Sequence, residues 1–245
     1  MLCYVYDGSF EGLMTAVYQS YSRKEQPDKI VEKGVLQQSL FDTYVYIDAD
    51  PVKSEKVCQA IKDKISKEAL KNVLYAYLSE IDGSSTLIYN YIRAGFKTGC
   101  RIDRYLGDDT VLSMLRVRQK VAGEAHRMLG LVRFRLLNSG VYYAPISPDH
   151  NIVGLIAPHF VRRFADQYFI IHDTKRNLSA VYDKKQWLIT DIPLNSDMLV
   201  MAKEEIEFQK LWKEYFKNIA VKERLNPRLQ RQYMPRRYWN YLVEK

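Results

Sequence analysis

The order of the hydrophobic patterns along the 245-residue chain is the feature that most constrains its fold. Apolar runs at 2–6 and 44–48 read as strands, and a helical pattern follows each of them, so the chain opens with two β-α units. Residues 67–129 contain three amphipathic helical segments and no convincing strand. Short alternating segments then return in the second half. This order predicts an α+β fold with a helical middle and an antiparallel sheet flanked by helices.

The first helix is predicted from an N-cap at Ser9 and from apolar residues spaced three and four apart. These residues form one continuous face, for which we expect a packing role: Phe10, Leu13, Met14, Val17, Tyr18 and Tyr21. The second helix is marked by Asp50 as N-cap with Pro51 at the first helical position. Both starts have the residue types that helix termini prefer.

The second half alternates apolar and charged residues in the manner of a half-buried sheet. Val132, Phe134 and Leu136 point to one side of a predicted strand, and Arg133 and Arg135 point to the other. A hairpin through 138–140, strands at 168–172, 178–183 and 186–190 and a long helix over 196–219 follow. The predicted buried face of that helix contains Leu199, Ala202, Ile206, Trp212, Phe216 and Ile219.

The domain organisation is predicted as a single α+β domain over 1–221, followed by a basic C-terminal arm over 222–245. A sub-boundary near 105–112 is the alternative division. No internal repeat and no Gly/Ser-rich linker separates folded pieces.

Several functional classes are excluded or disfavoured by composition. The apolar stretches fall short of the roughly 20 residues of a membrane-spanning helix, and the N-terminus lacks the pattern of a signal peptide, so we expect no membrane association and a cytoplasmic protein. The three cysteines, Cys3, Cys58 and Cys100, are too dispersed for a disulfide framework, a zinc site or an iron–sulfur cluster. Phosphate-binding glycine loops and nucleophile motifs are absent. We therefore expect no metal and no cofactor in this chain.

The net charge of +8 is distributed unevenly. Residues 1–112 carry 14 Lys and Arg against 16 Asp and Glu, whereas residues 113–245 carry 23 against 13. A one-sided basic surplus favours a polyanionic partner, most often nucleic acid, although basic proteins without such a partner are common.

Two groups of arginines are candidates for phosphate contact, because the planar guanidinium binds two oxygens at once. The first group follows the helical middle and comprises Arg116, Arg127, Arg133 and Arg135. The second lies in the arm, where arginines alternate with aromatic residues suited to base stacking: Arg228, Arg231, Arg236, Arg237, Tyr238 and Trp239. The alternative for the first group is a solvated face with ion pairs such as Glu124 to Arg127. The alternative for the arm is that its aromatic residues pack back on the domain.

Acid and histidine groups of the second half are the candidates for catalysis. They are Glu124, His126, Asp149, His150, His172 and Asp173. General acid–base chemistry could be assembled from them if the fold brought them together. The alternative is structural: His126 lies beside the apolar stripe of its helix, His150 precedes a helix start, and His172-Asp173 ends a strand where polar groups fasten hairpins.

Several strings of the sequence resemble a known family. They are Tyr6-Asp-Gly-Ser-Phe-Glu-Gly12, Glu124-x-His-Arg-x-x-Gly-Leu-x-Arg-Phe134, Pro148-Asp-His-Asn151, His159-Phe160, His172-Asp173, Leu211-Trp-Lys213, Asn226-Pro-x-Leu-Gln230 and Met234-Pro-x-Arg-Tyr-Trp239. With them the chain resembles a bacterial family of uncharacterised, probable DNA metabolism or DNA repair proteins. Members of that family are encoded beside a radical-SAM protein similar to DNA photoproduct lyases, and in some bacteria they are fused to a uracil-DNA glycosylase-like domain. The resemblance implies a DNA context and a radical-SAM partner, and it assigns no catalytic residue.

Three functions are compatible with these observations. The leading hypothesis is an accessory DNA-binding protein in DNA repair or modification that works with the radical-SAM partner and has no catalytic activity of its own. The second is a DNA-acting enzyme, nuclease-like or glycosylase-like, that uses the acid and histidine groups. The third is a protein-interaction scaffold for the radical-SAM partner. Convergence of the histidines would favour the enzyme, and a continuous positive surface would favour the binder.

Overall fold

The computed structural model of the chain describes residues 1–35, 39–191, 199–219, 221 and 226–244. Helices and strands are both present, with a helical middle, a five-stranded mixed sheet and a long C-terminal helix, which confirms the α+β class. The chain divides into two compact units, Met1–Ala122 and Gly123–Lys245. The division lies within a long helix, C-terminal to the sub-boundary that the sequence suggested near 105–112.

The first unit contains a three-stranded parallel sheet with the order β2-β1-β3. Its strands are β1 (Leu2–Tyr6), β2 (Lys29–Glu32) and β3 (Thr43–Tyr46). The central strand is buried along most of its length, because helices of this unit pack against the sheet.

The first two helices of this unit begin at the predicted caps. The side chain of Ser9 accepts a hydrogen bond from the backbone of Gly12, and that of Asp50 accepts one from the backbone of Lys53. The helices are α1 (Phe10–Ser22), α2 (Pro51–Lys64), α3 (Lys67–Leu78), α4 (Ser84–Thr98) and the start of α5 (Asp109–Leu131). Leu13, Met14 and Ile61 are fully buried in the core of this unit.

The second unit contains a five-stranded sheet with the order β4-β5-β6-β7-β8. Its strands are β4 (Arg135–Leu136), β5 (Tyr142–Ile146), β6 (Phe169–Asp173), β7 (Leu178–Tyr182) and β8 (Trp187–Thr190). The predicted hairpin is confirmed, since β4 and β5 pair antiparallel.

The prediction of a wholly antiparallel sheet is wrong at one pair, because β5 and β6 run parallel. Helix α6 (Val153–Arg163) connects them as a crossover, and parallel neighbours need such a connection. The strand predicted over 132–136 is also shorter than expected. Phe134 lies outside it and packs its ring against Phe160, Phe164 and Phe169, at centroid distances of 5.2, 4.7 and 5.6 Å.

The long C-terminal helix α7 spans Lys203–Ile219 and begins later than predicted. Residues 196–198 of the predicted helix lie outside the described residues. Met201 instead forms a β-bridge with Leu137, and the backbone N–H of Ala202 donates to the carbonyl of Leu136 at 2.9 Å. Long-range pairing therefore occupies the segment that helical periodicity had assigned to the first turn.

The predicted buried face of α7 is wrong in part. Ile206 and Ile219 are 43% and 56% exposed, whereas Trp212 and Phe216 are half-buried. A row of apolar residues at three- and four-residue spacing that also includes Ile219 is exposed along its length, and we call it the α7 stripe: Phe208, Leu211, Tyr215 and Ile219, exposed by 64%, 68%, 54% and 56%.

The described part of the arm forms helix α8 (Pro227–Tyr233) and a 3-10 helix, Arg236–Tyr241. Asn226 caps α8 by accepting a hydrogen bond from the backbone of Leu229 at 3.0 Å. Tyr238 and Leu242 are buried, so the end of the arm packs within the second unit. Among the helices of the described ranges, none has the length and apolar character needed to cross a membrane.

Candidate functional site

The buried carboxylate of Glu124 lies at the centre of the candidate site. This residue of α5 is 1% exposed. Its carboxylate accepts hydrogen bonds from the backbone N–H of Asp149 at 2.8 Å, from that of His150 at 2.9 Å, and from the hydroxyl of Tyr238. The three donors belong to a loop and to the arm, so Glu124 fastens both segments to α5. We call Glu124, Asp149, His150, Arg237 and Tyr238 the Glu124 cluster.

Tyr238 is the donor from the arm, and its hydroxyl keeps its proton. Burial, and then the hydrogen bond to Glu124, raise the pKa of Tyr238 well above its ordinary value of 10.0. A protonated hydroxyl facing a carboxylate is the favourable arrangement in a desolvated site. The neighbouring Arg237 pairs with Asp149 at 2.7 Å and lies over the Tyr238 ring at 4.7 Å from its centroid.

A second buried acid, Asp173, fixes the turn after β6. Asp173 is fully buried and accepts hydrogen bonds from the backbone of Lys175 at 3.0 Å and from Nη1 of Arg176 at 2.7 Å. Arg176 also donates from Nη1 to the carbonyl of Pro148 at 3.2 Å and from Nη2 to that of Asp149 at 2.8 Å. This arginine therefore ties the turn to the loop that Glu124 holds.

Arg176 was missed by the sequence interpretation, although its spacing offered an indication. An Asp followed three residues later by an Arg across a turn is a common arrangement for a local ion pair. Its two bonds to the loop could not be read from the sequence, because their acceptors are 27 and 28 positions away.

The four histidines have separate environments. His126 is exposed, and His150 and His159 are half-buried. His172 is buried, with Nδ1 at 2.9 Å from the Tyr143 hydroxyl and Nε2 at 3.3 Å from Oδ1 of Asn177. Within the described ranges, no group of three or more His, Cys, Asp or Glu residues could hold a metal ion.

Arg133 and Arg135 contact the end of the arm. Arg133 binds Glu244 through two bonds, from Nε at 3.2 Å and from Nη2 at 2.5 Å, and Glu244 is almost completely buried. Burial opposes ionisation of Glu244, but the hydrogen bond and charge of Arg133 outweigh it and lower the pKa of Glu244. Arg135 donates to the carbonyl of Tyr241 at 3.3 Å. Both arginines, predicted as phosphate contacts, hold the arm in place.

Arg228, Arg231 and Arg236, which lie in the described part of the arm, are exposed. Arg228 and Arg231 lie three residues apart on α8, and Arg231 donates from Nε to the carbonyl of Pro227 at 3.0 Å. Arg236 lies over the Trp239 ring at 5.7 Å from its centroid. Trp239 is half-buried and donates to the carbonyl of Met234 at 2.8 Å, so the buried aromatic anchor of the arm is Tyr238 and not Trp239.

The other two predicted arginines lie on different units. Arg116 is exposed on the part of α5 that belongs to the first unit. Arg127 belongs to the second unit and is half-buried, and its Nε has no hydrogen-bond partner among the described residues.

Comparison with known proteins gives a family and no function. No curated protein matches the chain. Residues 82–244 match a family model described as a domain of unknown function, DUF4130, and this segment contains the whole Glu124 cluster. Because the match covers well over half of the sequence, the chain belongs to the DUF4130 family.

Proposed function

We propose that the protein is an accessory DNA-binding protein in DNA repair or modification, which holds DNA for a partner enzyme. The observation that carries this proposal is the exposure of Arg228, Arg231 and Arg236 on a segment whose C-terminal end is fixed to the second unit. Guanidinium groups on a fixed backbone lose little entropy when they bind phosphate.

The aromatic residues beside these arginines add a second kind of contact. Tyr233 is 66% exposed at the end of α8, and Trp239 stacks with Arg236. An exposed aromatic ring next to cationic groups is suited to an unpaired base next to its phosphate.

The charge of the second unit supports the same conclusion. Residues 123–245 carry 20 Lys and Arg against 13 Asp and Glu, whereas residues 1–122 carry 17 against 16. The basic surplus therefore belongs to the unit that contains the arm, where it would attract a polyanion.

Three of the six residues proposed for catalysis, Glu124, His172 and Asp173, are buried and have structural partners. Both oxygens of Glu124 accept hydrogen bonds, Asp173 is bound to Arg176, and His172 contacts Tyr143 and Asn177. A general base needs a free lone pair within reach of substrate. These contacts favour the binding function over the enzymatic one.

The experiment is a titration of labelled single-stranded and duplex oligonucleotides at several salt concentrations, followed by fluorescence anisotropy. The slope of log affinity against log salt should be about −0.9 for each phosphate contacted, or about −5 for six contacts. Arg228→Ala with Arg231→Ala should weaken binding and reduce the steepness by about 2. Lys213→Ala with Lys217→Ala removes the same charge from exposed positions of α7 and is the matched control. Binding that is independent of salt, or equal for the parent and the α8 variant, would contradict the proposal.

The resemblance described above extends the proposal to a radical-SAM partner. Here the α7 stripe favours a second candidate function, a scaffold that binds this partner. Four exposed apolar side chains in line on one helix are typical of an interaction surface. Co-purification of the full chain with the radical-SAM protein, with and without Leu211→Lys, tests this candidate. A Leu211→Lys chain that retains the partner as well as the parent does would exclude the stripe as its docking site.

A further inference from the structure

The first unit has an open cleft that contains none of the residues of the Glu124 cluster or the arm. Its volume is about 540 Å³, and α1, α2 and α4 contribute its lining. Small-molecule sites in proteins have volumes of roughly 300–1,000 Å³. The cleft therefore has the size of a site for a molecule such as a nucleotide.

The cleft combines aromatic and apolar side chains with lysines. The rings are those of Tyr18, Tyr21 and Phe96, and the charged groups that line it are Lys56 and Lys64. Both lysines are exposed on α2, two turns apart on the same side of the helix. Among the described residues, none of those that line the cleft is acidic, so its charge favours an anion.

The sequence predicts that Tyr21 packs on the apolar face of α1, but the structure leaves its side chain half exposed. Its spacing places it on the packing face of α1 with Leu13 and Val17, which are fully buried. Tyr21 itself is 49% exposed, and its ring meets that of Phe96 edge-to-face with centroids 5.7 Å apart. This contact holds the Tyr21 ring in a fixed orientation and leaves about half of the side chain accessible.

A smaller pocket of about 220 Å³ shares Tyr21 and adds Lys24 and Arg93. Glu25 also lines it, but the carboxylate of Glu25 accepts the hydroxyl hydrogen of Tyr4. Both pockets that Tyr21 lines therefore contain cationic side chains.

We propose that this cleft binds a nucleotide unit, with its base against the Tyr21 and Phe96 rings and its phosphate at Lys56 and Lys64. Aromatic rings bind any base through its flat face, and a lysine ammonium binds phosphate as a point charge. The unit has two sources, a free mononucleotide or a nucleotide within a single strand. The proposal rests on the cleft alone and holds whether or not the arm binds DNA.

The test is calorimetric titration of the full chain with deoxyadenosine monophosphate. Deoxyadenosine alone and inorganic phosphate alone should bind more weakly, because each offers only half of the contacts. Lys56→Gln with Lys64→Gln should weaken nucleotide binding about tenfold, and Tyr21→Ala should weaken it as well. Lys62→Gln with Lys67→Gln removes the same charge from exposed positions outside the cleft, and it should bind as the parent does.

A second titration identifies the source of the nucleotide. Single-stranded oligo(dA) is titrated against a chain that carries Arg228→Ala and Arg231→Ala, so that the arm contributes less. If oligo(dA) binds in a way that depends on Lys56 and Lys64 and the mononucleotide does not bind, the source is a strand. If binding of both ligands depends on these lysines, the cleft accepts a nucleotide from either source. If neither deoxyadenosine monophosphate nor oligo(dA) binds, or if the cleft variants bind them as tightly as the parent does, the proposal is overturned.

Discussion

The Tyr238 hydroxyl donates to the Glu124 carboxylate, and both side chains are buried although 114 positions separate them. A buried carboxylate is costly unless hydrogen bonds replace its water. The backbone N–H groups of Asp149 and His150 supply two of those bonds, and Tyr238 supplies the third. The end of the arm is consequently part of what satisfies the buried acid of α5.

Removing this carboxylate should destabilise the protein strongly. Glu124→Ala leaves two backbone donors and one hydroxyl without an acceptor, and each unsatisfied buried group costs about 1–3 kcal/mol. We expect a loss of at least about 3 kcal/mol in the free energy of unfolding, measured by urea denaturation. Tyr238→Phe removes only one bond and should cost about 1–2 kcal/mol.

The matched control is His126→Ala, on the same helix two positions away with an exposed side chain. Its effect should stay within about 0.5 kcal/mol. A Glu124→Ala protein that unfolds at the same urea concentration as the His126→Ala protein would show that the Glu124 bonds contribute little.

The sequence predicts the elements that local pattern determines. The caps at Ser9 and Asp50, the strandless helical middle and the hairpin before β5 are all found where residue type and spacing place them. The parallel pairing of β5 and β6 was also within reach, because a helical segment between two strands indicates a crossover.

Features that depend on distant contacts could not be predicted in this way. The start of α7 is decided by pairing of Met201 with Leu137, and the role of Glu124 is decided by donors from a loop and from the arm. Periodicity assigned Ile206 and Ile219 to a buried face because it locates an apolar side of a helix without showing what packs there. Charge singled out Arg133 as a phosphate contact, but it could not show that the guanidinium pairs with Glu244, 111 positions away.

Stability should fall at alkaline pH because of partly buried tyrosines such as Tyr77. Burial, and then neighbouring negative groups including Tyr6 and Glu32, raise the pKa of Tyr77 to about 12, and its hydroxyl donates to the Gly8 carbonyl at 2.9 Å. A folded pKa above the ordinary value of 10.0 means that the unfolded chain loses its proton first, so this stability is present below pH 10 and is lost as the pH rises toward about 12.

The measurement is urea denaturation between about pH 9 and pH 11, where each such group contributes a slope of up to about 1.4 kcal/mol per pH unit. Tyr77→Phe should be less stable at neutral pH and should lose less stability over this range. Tyr46→Phe, at a position 54% exposed, is the control and should follow the parent. Equal alkaline losses in the parent and Tyr77→Phe would contradict the prediction.

Truncation before Arg236 should destabilise the second unit. It removes the buried side chains of Tyr238 and Leu242 and leaves the Arg133 guanidinium without Glu244. Loss of packed large side chains costs about 2–5 kcal/mol each, so we expect a clear fall in melting temperature. Tryptophan fluorescence reports this unit, because Trp187, Trp212 and Trp239 all lie in it and the first two remain after truncation. An unchanged transition would show that the end of the arm is dispensable for folding.

The α7 stripe should tolerate polar substitution. Leu211 is 68% exposed and Phe208 is 64% exposed, so Leu211→Lys and Phe208→Gln remove little buried apolar area and should change the free energy of unfolding by less than about 0.5 kcal/mol. The control is Phe160→Gln, in which a 3% exposed side chain of the second unit is replaced and a loss of about 3 kcal/mol or more is expected. A large loss in Leu211→Lys would show that the stripe is covered within the folded chain.

Asp149 and Arg237 form an ion pair, and substitutions on its two sides should have opposite effects on DNA binding. Their charged groups lie 2.7 Å apart, and both side chains are about half exposed, so the pair should contribute only about 0.2–1 kcal/mol to stability.

Asp149→Asn keeps the backbone N–H that donates to Glu124, removes a negative charge beside the arm and releases Arg237. Arg236→Ala with Arg237→Ala removes two cations and leaves Tyr238 and Trp239 in place. If the arm binds DNA, Asp149→Asn should strengthen oligonucleotide binding at low salt and the arginine variant should weaken it, while both proteins melt within a few degrees of the parent. Anisotropy titrations and melting curves of the three proteins measure both effects. If the oligonucleotide affinity changes in the same direction in both variants, or changes in neither variant, a direct electrostatic contribution of Arg236 and Arg237 to DNA binding is excluded.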